Sequence, residues 1–218
     1  DLHYPLRRQR QMCIRDRQYA TKGYLEKLIA QVFTGRERFE PGNPQEGYSP
    51  SPQERQSWLQ ISYMKEAYHT MGPKFTLGWM AEALYSSKNF SENYTATMMQ
   101  AGEFAPTPHS KLMYNEAFRA NQYVAAGIKP IYVLNDMFQF RTEFYGFTPI
   151  FPIKKNALNK AYYGKAFSRF EYMGEVSVIC HLPFGAISAY VNHYSSPRRE
   201  WNVGMTIGWQ LFNYRFVE

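Results

Sequence analysis

Trp201-Asn202-Val203-Gly204-Met205-Thr206-Ile207-Gly208-Trp209-Gln210-Leu211 is the stretch whose pattern decides the fold. Trp201, Val203, Met205, Ile207, Trp209 and Leu211 share one parity, and Asn202, Gly204, Thr206, Gly208 and Gln210 share the other. Successive side chains of a strand point to opposite faces, so as a strand this segment separates into one apolar and one polar face. A helix would mix the two sets. The run is also long enough to cross a bilayer as a tilted strand.

The same period-two pattern recurs upstream. Over 169–182, Arg169, Glu171, Met173, Glu175, Ser177, Ile179 and His181 oppose Phe170, Tyr172, Gly174, Val176, Val178, Cys180 and Leu182. Phe138, Phe140 and Phe144 oppose Gln139, Arg141 and Glu143. Phe75, Leu77, Trp79, Ala81, Ala83 and Tyr85 oppose Lys74, Thr76, Gly78 and Glu82. Leu59, Ile61 and Tyr63 oppose Gln60, Ser62 and Glu66, and the segment 22–38 repeats the pattern more weakly. Eight strands are expected, at about 22–38, 55–69, 74–86, 120–134, 137–147, 165–182, 186–194 and 200–216.

The connections alternate in length. Thr70-Met71-Gly72-Pro73, Asn135-Asp136 and Pro183-Phe184-Gly185 are tight and carry turn-forming residues. The others, at about 39–54, 87–119, 148–164 and 194–200, are long and collect Pro, Asn, Ser and Lys. Short turns at one end and long loops at the other characterise a transmembrane barrel, and a soluble sandwich has no physical reason to keep them apart. The expected fold is all-β: an antiparallel up-and-down transmembrane β-barrel segment of about eight strands, either half of a larger barrel or a small closed one.

Composition agrees. Mean hydropathy is −0.52, yet aromatics reach 17%. Tyr and Phe favour strands, and Tyr and Trp favour membrane–water boundaries. No apolar run is long enough for a transmembrane helix, as expected where crossing strands alternate. The formal charge of +7 includes +3 from residues 1–17. Within that stretch, Gln11-Met12-Cys13-Ile14-Arg15-Asp16-Arg17 resembles a translated sequencing adapter. Residues 1–17 are therefore expected to be a non-native leader and 18–218 the β-barrel region. The remaining +4 gives little support for nucleic-acid binding. The opening residues hold no secretory signal, which an outer-membrane protein needs, so a fragment lacking its true N-terminus is expected.

Gly185-Ala186-Ile187-Ser188-Ala189 lacks the last glycine of a nucleophile elbow, and phosphate-loop, dinucleotide and His-Glu-x-x-His patterns do not occur. His3, His69, His109, His181 and His193 are scattered, and adjacent Cys180 and His181 face opposite ways in a strand. No catalytic, cofactor-binding or metal-ligating residue is assigned, and no cofactor is expected. Arg141 and Glu143 share a polar parity, as do Arg169, Glu171 and Glu175, and cross-strand ion pairing inside the barrel is preferred to a selectivity ring. Trp58, Tyr63, Tyr68, Trp79, Tyr85, Tyr132, Tyr145, Trp201 and Trp209 are candidates for interfacial girdles. The sequons at Asn89 and Asn93 fall in the longest loop.

From about Tyr19 the chain resembles the C-terminal, surface-antigen-type barrel of patatin-like phospholipases of Gram-negative bacteria. The resemblance rests on several stretches. They are Ala20-Thr21-Lys22-Gly23-Tyr24, Val32-Phe33-Thr34-Gly35-Arg36-Glu37-Arg38-Phe39, Phe118-Arg119-Ala120-Asn121-Gln122-Tyr123, Arg141-Thr142-Glu143-Phe144-Tyr145 and Gly185-Ala186-Ile187-Ser188-Ala189-Tyr190. It implies an outer-membrane anchor or translocation region whose catalytic domain lies outside this chain, and about half of a sixteen-stranded barrel. The family's Gly-x-Ser-x-Gly serine and Asp-Gly aspartate have no counterpart here, so this fragment is not expected to be an enzyme. Two other readings compete: a complete small porin-like or adhesion barrel, and a soluble all-β ligand-binding module. The expected partners are the lipid bilayer and the outer-membrane insertion machinery, for which Phe212, Tyr214 and Phe216 supply a partial terminal signal. Nucleic acid is not expected, and homo-oligomerisation is left open. The expected location is the bacterial outer membrane, with the C-terminus periplasmic.

Overall fold

A computed structural model of the chain describes residues 8–12, 20–37, 55–182, 185–196 and 201–209. The main strands are β1 (Arg8–Met12), β2 (Gly23–Arg36), β3 (Arg55–Thr70) and β4 (Phe75–Ser86). A long insert, 87–121, follows. It carries α1 (Tyr94–Gln100), β5 (Gly102–Glu103), two short 3-10 turns and β6 (Arg119–Ala120). The sheet resumes with β7 (Gln122–Val133) and β8 (Phe138–Pro149). A hairpin of β9 (Ile153–Lys155) and β10 (Ala161–Tyr163) comes next, then β11 (Glu171–Leu182), β12 (Gly185–Tyr194) and β13 (Trp201–Trp209).

The sheet order is β1-β2-β3-β4-β7-β8-β11-β12-β13, antiparallel at every step, and it does not close. The eight expected strands are β2, β3, β4, β7, β8, β11, β12 and β13, in simple up-and-down order. Differences lie at the margins. The strand expected from 165 begins at Glu171, because 165–170 finishes the crossover from the β9–β10 hairpin. The sheet gains β1, which pairs with Tyr24–Leu28 on β2. Leu211, Phe212, Tyr214 and Phe216 lie outside the described residues.

Alternation sets the two faces, and registry carries them across the sheet. On β8, Phe138, Phe140 and Phe144 are exposed while Gln139, Arg141, Glu143, Tyr145 and Phe147 are buried. Glycines on the inner face make room for tyrosines of neighbouring strands. Gly127 is the register partner of Tyr145, and a Cβ there would lie 2.1 Å from the tyrosine ring. Gly78 pairs with Tyr68 in the same way, at 2.7 Å. Each Tyr ring thus lies flat along the wall where no side chain stands.

The core lies between the inner face and the insert. Phe104, 1% exposed, packs against Tyr123, Tyr145 and Phe147 with ring centroids 5.9–6.2 Å apart. Phe118 meets Phe147 and Tyr194 at 5.6 and 5.9 Å. Within the insert, α1 begins where Asn93 Oδ1 accepts the Ala96 N–H at 2.7 Å, so one expected sequon asparagine serves as a helix cap. The helix rests on the β9–β10 hairpin through Met98, Ala101 and Ile153, flanked by Phe90, Tyr94 and Ala161.

Candidate membrane interface and lumenal network

Two surfaces bear on function: the outer face of the sheet and the network on its inner face. Val203 and Ile207 are 79% and 61% exposed, and Trp201 and Met205 stand beside them. Register continues this apolar surface across β12, where Ile187, Ala189 and Val191 oppose Ile207, Met205 and Val203. On β11 and β8 it continues through Val176, Val178, Phe140 and Phe144, and on β7 and β4 through Ile128, Tyr132, Phe75 and Leu77. Large contiguous apolar surfaces of this kind are rare on monomers in water. The inner face is mixed: Gln139, Arg141, Glu143, Glu175, Ser177, Ser188 and Asn192 are buried there beside Tyr145, Phe147, Met173 and Ile179.

Aromatic residues mark both borders of this band. Phe75, Tyr132 and Phe140 are consecutive register partners at the tight-turn end. At the loop end, Tyr172 stacks on His193 at 6.1 Å and His193 meets Trp201 edge-on at 4.9 Å. Phe170 lies against the outer side of Gly146, where a Cβ would come within 3.0 Å of its ring. Aromatic rings at two levels flank this apolar band, the arrangement of the girdles in bilayer-spanning barrels.

The girdle expected from sequence therefore divides. Trp79, Tyr85, Tyr132 and Trp201 face outward, and Tyr63 does so while donating to Glu26 at 2.9 Å. Tyr68 and Tyr145 turn inward and are buried, and Trp58 shares their face, with Lys88 Nζ 4.6 Å from its ring centre. Parity explains this: Trp58 and Tyr68 share the even parity of Glu66 on β3, and Tyr145 the odd parity of Arg141 and Glu143 on β8. The side chain of Trp209 lies outside the described residues. Charges on the outer parity include Arg36 and Arg55 at the loop end and the pair Glu26 and Lys65. Glu26 and Lys65 are register partners 3.9 Å apart, so their charges are neutralised together beside the Tyr63 hydroxyl.

The inner network occupies the tight-turn half of the interior. Lys129 on β7 pairs with Glu66 on β3 across the intervening β4, over the space left by Gly78. Tyr68 donates to Glu66 and accepts from Arg141 Nη2 at 2.8 Å. Arg141 also pairs with Glu143 through Nε and donates to the Ala20 carbonyl at 3.1 Å. Tyr145 donates to Glu143. The expected ion pairing is present but runs along strands, Arg141 with Glu143 and Arg169 with Glu171, two residues apart on one face. Across strands, Glu143 stands directly opposite Glu175.

In the loop half, His109 of the insert reaches the inner side of β12. Its Nδ1 lies 2.7 Å from Asn192 Nδ2 and 3.0 Å from the Tyr194 hydroxyl, and its ring sits 5.1 Å from that of Tyr190. Burial holds this imidazole below its ordinary pKa of 6.5. A small cavity nearby is lined by Glu103, Phe104, Ser110, Asn115, Met173 and Tyr194. Among the described residues no group of His, Cys, Asp or Glu side chains is arranged to hold a metal ion. Cys180 and His181 occupy opposite faces, as alternation requires.

Sequence reasoning missed the inward fold of the insert and the placing of His109. The usable signals were its apolar Phe104 and Phe118, unusual for an exposed loop, and the Asn93 cap. The chain matches no protein-family model, no curated protein and no solved structure.

Proposed function

We propose that the chain is a membrane-embedded β-barrel segment of the bacterial outer membrane. In this reading it anchors a larger protein rather than conducting solutes. The observation that carries the proposal is the exposed apolar outer face of the sheet, with Val203, Met205 and Ile207 outward on β13 and Phe138, Phe140 and Phe144 outward on β8, while charged side chains such as Arg141, Glu143 and Lys129 lie inward. An apolar outer band of strand residues, bordered by rings at both levels, suits hydrocarbon and is costly in water.

Support for an anchor over a porin-like channel comes from the interior. The turn half is crossed by the Glu66–Lys129–Tyr68–Arg141–Glu143 network, and the loop half is occupied by Phe104, Phe118 and His109 of the insert. A passage for solute would need this space. The resemblance to patatin-like phospholipases supplies the class of cargo, a serine lipid hydrolase carried on the same polypeptide. In this reading the end with short turns, where β3 joins β4 and β7 joins β8, faces the periplasm.

Replacement of Ile207 by Arg tests the lipid contact. The variant should lose about 2–4 kcal/mol of folding free energy in phosphatidylcholine vesicles if the site lies near the midplane. Thr206→Arg, on the inner parity, should lose far less. The measurement is urea-dependent unfolding together with heat-modifiable migration in gels. Equal losses in the two variants would reject the outer face as a lipid surface.

A further inference from the structure

The crossover between β8 and β11 carries a charge distribution that the anchor reading does not use. Residues 150–170 contain Lys154, Lys155, Lys160, Lys165 and Arg169 and no acidic residue. All four lysines are exposed. Arg169 is committed to Glu171 at 2.8 Å, so the lysines are the cations this segment presents.

The segment is held in one shape. β9 and β10 pair as Lys155 with Ala161, Lys154 with Tyr162 and Ile153 with Tyr163. The turn between them is fixed by Asn156, whose Oδ1 accepts the Leu158 and Lys160 N–H groups at 2.9 and 2.8 Å, and by Asn159 at φ 58°. Asn159 also gives its carbonyl to the Tyr94 N–H at 2.8 Å. Tyr163 packs against Phe90 with ring centroids 4.4 Å apart and planes tilted by 51°, and it accepts from Asn121 at 3.0 Å. The hairpin is thus bolted to α1 and the insert, and its lysines are displayed from a rigid base.

Its neighbours are the aromatic border of the outer face. Phe151, Tyr162, Phe167 and Phe170 are exposed, and Phe170 lies on Gly146 at the loop-end rim beside Phe144 and Tyr172. Cations and exposed rings thus follow one another along the same short segment where the lipid-facing band ends. Basic side chains just beyond an aromatic girdle lie at the height of lipid headgroups.

We propose that the β9–β10 hairpin is a headgroup-binding element that grips phosphate-bearing anionic lipids of the leaflet at the loop end. The inference rests on the anchor reading and deepens it by naming the lipid chemistry. Four ammonium groups supply the charge, and Phe167 and Phe170 seat the segment in the interface. Each lysine near an anionic surface strengthens binding by about fivefold.

The test uses the full chain folded in neutral maltoside micelles doped with phosphatidic acid or phosphatidylcholine. The readout is the melting midpoint as a function of lipid content. Phosphatidic acid should raise the midpoint and phosphatidylcholine should not. The combined variant K154Q/K155Q/K160Q/K165Q should need at least about tenfold more phosphatidic acid for half its effect. An unchanged requirement in that variant, or no preference for phosphatidic acid in the parent, overturns the proposal. An equal rise with inorganic phosphate would show a free-anion site and overturn the assignment to lipid. Insertion into pure phosphatidylcholine vesicles reads the anchor separately. Both proteins should insert alike, and failure of the parent there sinks the anchor reading instead.

Discussion

Arg141 shows how the inner wall is held at the level of single residues. It is 4% exposed, and it is tied to Glu143, Tyr68 and the Ala20 carbonyl. A buried charge is tolerated because its partners satisfy it, and removing one partner strands the other. Arg141→Met should therefore cost about 3–5 kcal/mol, since Glu143 would keep its carboxylate beside Glu175 without the guanidinium. Glu175→Gln should have the opposite sign and gain about 0.2–1 kcal/mol, because it removes one of two like charges in register. Urea unfolding of the two variants in micelles decides this, and equal destabilisation would show that Glu175 carries a needed contact. Alternation made the inward parity of Arg141, Glu143 and Glu175 legible from sequence. The partners were not, because Tyr68 and Lys129 arrive from strands whose neighbours depend on registry.

At the scale of elements, the insert is the piece whose role changed most. Its sequence, with Pro106, Pro108 and scattered polar residues, reads as an outside loop. In the structure it supplies Phe104 and Phe118 to the core and fixes His109 against β12. The neutral ring accepts at Nδ1 from Asn192 or Tyr194, and protonation there would replace the acceptor with a donor. Glu175, in register with Asn192, is the nearby carboxylate, and Tyr190 and Tyr194 are the other titratable neighbours. Because burial lowers the folded pKa, the unfolded ring takes up its proton first, near 6.5. This contact therefore holds fully above that pH and weakens as the pH falls below it. Hydrogen exchange of residues 102–118 should quicken on acidification, and His109→Gln should flatten the dependence. Identical pH profiles in the two proteins would remove His109 from that role.

For the whole molecule, the open sheet and the filled interior belong together. An eight-stranded barrel has room inside for side chains alone. Here the inner face also receives the insert, with its helix and two short strands. The sheet stays open, with β1 at one edge beside β2 and β13 at the other. If the sheet lies in a membrane, as proposed, the edge groups of β13 and of the part of β2 beyond its pairing with β1 would need partners, which further strands of a wider barrel would provide. Cysteine pairs scanned along β2 and β13, in a C13A/C180A background, should give no crosslink within one chain. An efficient intrachain crosslink would instead establish a closed eight-stranded barrel.

The sequence by itself determined the strands, their order of faces and the ends at which turns are tight. These are local properties: a period of two sorts side chains, and Gly, Pro, Asn and Asp set the turns. It also placed Val203, Met205 and Ile207 on one surface, where the structure exposes them. Only the tertiary structure decided which rings line the border and which the interior, how the glycines at 78 and 127 admit Tyr68 and Tyr145, and where the insert goes. Those outcomes depend on registry between strands and on packing across the inner face, which bring together residues far apart in the chain. The lysine hairpin belongs to both levels: its charge is written in residues 150–170, and its position at the rim comes from α1, Phe90 and Gly146.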